Sequence, residues 1–154
     1  MATVQSEIND LFLTRVNDYR LNTIFVSSAS SLNTYLEPWL LDSINDFDIC
    51  TQDLTYTTTS GSAEGYFAED LTMQHKLILS QIMVKYWLTK SVQDILQMNN
   101  FVTDHDFKTF SAAQNLSAKK DLLNSKKEEI SQMLIDYGYK NNNWTDWRNQ
   151  TFAA

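Results

Sequence analysis

The sequence predicts a mainly α fold: an elongated helical bundle with a short β-hairpin or extended loop insertion and an extended C-terminal arm. Three observations carry this. Gly61, Gly65, Gly138 and Pro38 are the only glycines and proline in 154 residues, where average usage would give about ten and seven or eight. So few breakers favour long helices over many short strands. Between Asp70 and Met98 the polar residues Lys76, Ser80, Gln81, Lys85, Thr89, Gln93, Asp94 and Gln97 form one narrow stripe in an otherwise apolar run, the pattern of a central core helix. Leu116, Leu123, Ile130 and Tyr137 then recur every seven residues, the seam of a second long helix.

The elements follow in order. Ile8, Leu11, Phe12 and Val16 fall at helical spacing after a possible Thr3 cap, which predicts a helix from Val4 to Asp18. The polar stretch from Val26 to Ser31 interrupts the pattern. Leu36, Leu40, Leu41, Ile44 and Phe47 resume it, and Pro38 places the start of that helix near itself, because proline suits a first turn and disfavours helix at Glu37. Residues 48–69 read as a hairpin or excursion: Leu54, Tyr56 and the threonines have strand propensity, and Tyr66 and Phe67 follow the Gly61 to Gly65 turn signal. A long excursion in a small domain suits a functional role. We therefore expect Tyr56 and an exposed Tyr66–Phe67 pair to contact a neighbouring subunit or the next ring.

Asp70 is the expected cap of the central helix, which would reach about 43 Å at 1.5 Å per residue. Asn99 to Val102 makes the turn, and Thr103 with Asp106 forms a capping-box pattern. The last helix spans Asp104 to Tyr137, as one helix or as two broken near Asn115 to Ser117, with Gly138 as its terminator. Residues 1–138 thus form the bundle and 139–154 an arm. The arm is polar and Asn-rich yet holds Trp144, Trp147 and Phe152. Such aromatics are ordered only against a surface, either the arm's own bundle or a partner. We expect Trp144, Trp147, Arg148 and Phe152 to bind that partner.

Charge and chemistry narrow the function. Nineteen acids against twelve Lys and Arg give −7, which disfavours a nucleic-acid scaffold. MATVQSEIND is polar from the first residue, and the longest apolar run, Leu77 to Leu88, falls short of a membrane span. This predicts a soluble, intracellular protein. A lone Cys50 excludes an intrachain disulfide, and His75 and His105 leave little for a metal site. Asp104-His105-Asp106 reads as a charged helix start that complements the dipole. Lys119, Lys120, Lys126 and Lys127 interleave with Asp121, Glu128 and Glu129 as a solvated face with local ion pairs. No phosphate loop, HExxH, GxSxG or EF-hand spacing occurs. Neither metal nor cofactor is expected, and no catalytic residues.

The run ILSQIMVKYWLTKSVQDILQMNNFVTDHDFKTFSAAQNLSAKKDLLNSKKEEISQMLIDYGY joins a long apolar helix ending in KYWLTKSVQDILQM, an Asn turn, a D-F-K-x-F helix and a DYGY terminus. Over about residues 67–139 it resembles the head–tail connector (adaptor) proteins of tailed bacteriophages, which form the neck ring beneath the portal. The resemblance implies a non-enzymatic helical protomer of a homo-oligomeric ring, commonly of twelve copies. Its partners would be the portal protein and the next neck or tail component. DNA would pass through without specific binding, and an acidic wall suits sliding. Its place would be the virion neck, after assembly in the host cytoplasm. Another neck or tail-completion protein, and a small helical regulatory binding protein, are the alternative readings. A hydrolase would require a polar pocket that no residue set here predicts.

Overall fold

A computed structural model of the chain describes residues 2–16, 18–58, 64–101 and 109–141. The order is α1 (Gln5–Leu13), α2 (Tyr19–Ser27), α3 (Ala29–Asp46), β1 (Tyr56–Thr58), β2 (Gly65–Phe67), α4 (Met73–Phe101) and α5 (Thr109–Asn141). The fold is mainly α with one small antiparallel hairpin. Helix α4 lies at the centre, covered by α1 and α3 on one side and by α5 on the other, while α2 packs on α3. At 29 and 33 residues, α4 and α5 extend about 43 and 50 Å and set the long axis. They run antiparallel: His75 at the start of α4 meets Tyr137 near the end of α5.

The core follows the apolar pattern of α4. Ile78, Leu79, Ile82, Met83, Val84, Leu88 and Val92 are buried, against Ile8 and Phe12 of α1 and Leu32, Leu36 and Leu40 of α3. The polar stripe is less wet than its composition implies. Ser80 is fully buried, its hydroxyl donating to the Leu77 carbonyl, which removes the cost of burying it. On α5 the seven-residue row is the contact seam: Leu123, Ile130 and Tyr137 are buried, and Leu116 packs at its edge.

Several boundaries depart from sequence expectation. Helix α1 stops at Leu13, and the chain bends so that Val16 and Leu21 both enter the core. Its cap is Val4, whose N–H donates to Glu7 Oε1 at 3.4 Å. Thr3 instead crosses to the start of α4, accepting from Leu71 N at 2.8 Å and donating to Asp70 Oδ1 at 3.3 Å. Helix α3 begins well before Pro38, with Ser28 Oγ accepting from Ser31 N at 3.3 Å. Proline inside a helix costs about 3 kcal/mol. Buried Leu32 and Leu36 hold the turns before it, and Pro38 faces solvent. Thr72, not Asp70, caps α4: its hydroxyl accepts from His75 N at 3.4 Å. Helix α4 continues through Asn99 and Asn100 to Phe101. Helix α5 is single from Thr109 and passes through Gly138 to Asn141, whose side-chain amide donates to the Tyr137 carbonyl at 2.9 Å. Gly138 therefore does not end the helix. A Cβ there would lie 3.7 Å from Ile49, ordinary contact distance, so a larger side chain would fit and neither a turn nor packing requires the glycine. The Thr103–Asp106 pattern and Asp104-His105-Asp106 lie outside the described residues.

The hairpin is bound into the bundle. Tyr56 pairs with Phe67, Thr57 with Tyr66 and Thr58 with Gly65. The N-terminal segment lies along its other edge: Phe67 N donates to Thr3 O at 2.8 Å, and Val4 bridges Tyr66. Phe67 is fully buried, against the expectation of an exposed Tyr66–Phe67 pair, because alternation along β2 turns Phe67 inward and Tyr66 out. Tyr56 is half-buried, with its hydroxyl donating to Gln5 Oε1 at 3.0 Å. Burial, followed by the nearby Glu37 carboxylate, pushes its phenol well above the ordinary value. Gly65 is needed at this crossing, since a Cβ would stand 2.1 Å from the Tyr56 hydroxyl. Gly65→Ala should displace that ring and destabilise the chain by about 1–3 kcal/mol, the usual cost of overpacking. Urea unfolding measures this; an unchanged midpoint would show that Tyr56 moves aside freely.

Candidate functional site

Two places in the described residues bring together side chains with chemistry beyond packing. The first is an aromatic cleft. Tyr35 and Trp39 stand one turn apart on α3, edge to face with ring centroids 5.4 Å apart at 77°. Lys90 of α4 lies over both, its Nζ 5.0 Å from the Tyr35 centroid and 5.7 Å from that of Trp39. It also donates to the Tyr35 hydroxyl at 3.1 Å. Trp39 packs behind against Phe12 at 6.1 Å, which fixes it as the cleft floor. Hollows of about 640 and 420 Å³ share Tyr35, Trp39 and Lys90. The larger is walled by Ser30, Ser31, Thr34 and Pro38, the smaller by Asp18, Tyr19, Trp87, Ser91, Asp94, Ile95 and Lys119. Trp87 is held in place by its Nε1–H donating to Asp18 Oδ2 at 3.1 Å. Cation–π contact with a lysine held over two rings suits recognition of another aromatic or polar chain better than bond-breaking chemistry.

The second is a buried polar knot where the start of α4, the end of α5 and the 47–55 loop converge. His75 Nδ1 bonds Gln52 Oε1. That same oxygen accepts from Thr72 N at 2.9 Å, and the amide's nitrogen donates to Asp70 O at 3.2 Å. Gln52 therefore presents its acceptor to the histidine, so Nδ1 carries the proton and Nε2 accepts from the Tyr137 hydroxyl at 2.8 Å. The Tyr137 oxygen in turn accepts from Thr51 N at 2.9 Å and lies 2.8 Å from Thr51 Oγ1. Phe47 covers the knot, 5.0 Å from the Tyr137 ring and 5.8 Å from His75. Burial lowers the His75 pKa below its ordinary 6.5. Both ring nitrogens are committed, so the imidazole is a structural clasp rather than an accessible base. Burial also raises the nearby Cys50 thiol, the opposite of an activated nucleophile.

Other charged contacts brace the helices. Lys76 pairs with Glu7 at 2.8 Å and approaches Asp70 at 3.6 Å. Its hydrogen bond holds the Glu7 carboxyl below the ordinary value. Lys85 pairs with Asp46, which also accepts from the Tyr86 hydroxyl at 2.9 Å. Burial and that carboxylate push Tyr86 up to about 12. On α5, Lys126 pairs with Glu129 at 2.8 Å, as expected of a solvated face.

Of the residues singled out by sequence, Tyr56 and Phe67 are committed to the bundle and Tyr66 stays 39% exposed. Trp144, Trp147, Arg148 and Phe152 lie outside the described residues. Neither the cleft nor the knot was anticipated as a unit. The i, i+4 pair Tyr35 and Trp39 was the visible signal for the first, and a tyrosine ending an otherwise aliphatic heptad row for the second. Among the described residues no group of three or more His, Cys, Asp or Glu is placed to hold a metal ion, and no helix is long and apolar enough to cross a membrane. Compared with known protein families, curated proteins and solved structures, the chain matches none.

Proposed function

We propose that the chain is a structural virion protein: a head–tail connector (adaptor) whose copies form a ring, docked on the portal and extending the DNA conduit toward the tail. The resemblance over residues 67–139 supports this reading, and that segment is the α4–α5 hairpin with its approach from β2. The observation that carries it is apolar surface left uncovered along one helix. On α2, Tyr19 and Val26 are 84% and 85% exposed and two turns apart, with Phe25 beside them at 52%. Single exposed apolar residues are ordinary, but Tyr19 and Val26 on one stripe of the helix, with half-exposed Phe25 flanking it, mark a contact surface. A protomer that meets neighbours laterally has use for such a stripe, and Tyr66 at the hairpin offers a further contact. The role needs no catalysis, and a net charge of −7 suits a wall past which DNA slides.

The test is direct. Purified full-length chain mixed with a portal complex should yield, by electron microscopy, a ring seated on one face of the portal. Val26→Asp should prevent ring closure while leaving the helical circular-dichroism signal unchanged. Absence of any portal-bound density would reject the reading.

A further inference from the structure

We infer that the cleft around Tyr35, Trp39 and Lys90 is the receptor for the tryptophan-bearing C-terminal segment, residues 142–152, of a second copy of this chain. Its left and right walls come from different helices, and nothing in the described residues fills the space between them. Tyr19 stands 84% exposed at the rim and Tyr35 38% exposed within. The cleft thus offers aromatic faces with a cation among them, and Lys119 adds a second cation to one wall.

The segment matches it in kind. Trp144, Asp146 and Arg148 alternate in sequence, so an extended chain would present all three on one face. The indole suits the Tyr35–Trp39 pair, and Asp146 suits Lys90 and Lys119. Trp147, on the other side, is left for the rim near Tyr19.

Reach decides between the chain's own segment and a neighbour's. The last described residue, Asn141, sits at the far end of α5, beside the His75 knot. Lys119, on the cleft wall, is 22 residues back along the same helix, about 33 Å at 1.5 Å per residue. Three residues carry Trp144 at most about 11 Å beyond Asn141, and six carry Trp147 about 22 Å. Trp144, the anchor matched to the Tyr35–Trp39 pair, therefore cannot return to its own cleft. A copy displaced along the α4–α5 axis can accept both. Each chain then gives one segment and receives one, a head-to-tail contact that builds a ring if the rotation closes. This goes beyond the connector reading and does not depend on it, because the exchange would organise a ring of any role.

Complementation between two full-length variants tests the exchange. Trp144→Ala/Trp147→Ala removes the segment's anchors and leaves the cleft. Tyr35→Ala/Lys90→Glu spoils the cleft and leaves the segment. Sedimentation velocity should find wild type associating as concentration rises, with either variant alone weakened about tenfold or more, as loss of a buried aromatic anchor commonly does. A mixture of the two should form a one-to-one pair that neither forms alone. If Tyr35→Ala/Lys90→Glu fails to fold, Lys119→Glu, away from the Trp39 packing, serves in its place and should weaken association in the same direction. A mixture no heavier than its parts, or wild type that is monomeric at every concentration, overturns the inference. Wild type that is monomeric alone yet binds the portal through Trp144 and Trp147 overturns it too, and leaves the connector reading standing.

Discussion

Replacing Tyr137 by Ala should cost about 3–5 kcal/mol, the usual loss for a large buried aromatic. Domains of this kind commonly have about 5–15 kcal/mol in total, so much of the stability would go. Tyr137→Phe isolates the hydroxyl. It leaves His75 Nε2 without a donor and Thr51 N without an acceptor, and should cost about 1–3 kcal/mol. The same knot sets a pH dependence. Folding favours the neutral imidazole, since burial holds the His75 pKa below 6.5. The unfolded chain therefore takes up a proton more readily than the folded one just below that value. Stability from this group is complete above pH 6.5 and declines as pH falls below it. A protonated Nε2 would also point a hydrogen at the Tyr137 O–H, whose oxygen already serves Thr51. The Glu7 carboxyl, held below its ordinary 4.5 by Lys76, contributes a separate loss at more acid pH. Melting curves of wild type and His75→Gln from pH 7.5 down to pH 5 should diverge in slope, the variant losing the step near 6.5. Identical slopes would remove His75 from the account.

The sequence declared what one helix could declare about itself. The stripe on α4 and the heptad row on α5 are periodic within single elements, and both faces pack as their periods require. The hairpin was legible from its strand formers. The α2–α3 region was not. Its apolar residues are diluted by Ser, Thr and Asn, and Pro38 points to a start nine residues too late; tertiary contacts at Leu32 and Leu36 outweigh the local preference. Caps misled for a related reason. Thr3 and Asp70 look like caps in isolation, yet they bond each other across 67 positions of sequence. The cleft and the knot need partners from three segments each, such as Lys90 over Tyr35 or His75 against Tyr137, and no local pattern joins residues 55 or 62 positions apart.

The row on α5 also locates the one joint on which that helix depends. Among the described helices and strands, α5 packs on α4 alone. Leu123, Ile130 and Tyr137 supply its buried contacts, while Leu122, Ile135 and Tyr139 are 51–58% exposed on its other faces. Isolated helices are marginal in water even at good length, so this joint keeps α5 in place. Ile130→Asp puts a charge into the middle of the seam, where no cation is among the buried residues. It should cost about 4 kcal/mol or more, from lost apolar contact and an unpaired buried charge together. Ile135→Asp, only five residues on but half exposed, should change stability by about 0.5 kcal/mol or less. Hydrogen exchange followed along the chain should then show residues 116–141 of the Ile130→Asp variant losing protection first, with α1, α3 and most of α4 retaining theirs. Because α5 leads into the segment that holds Trp144 and Trp147, the same substitution should abolish self-association while Ile135→Asp leaves it intact. Equal stability of the two variants would mean that the seven-residue row does not anchor the helix.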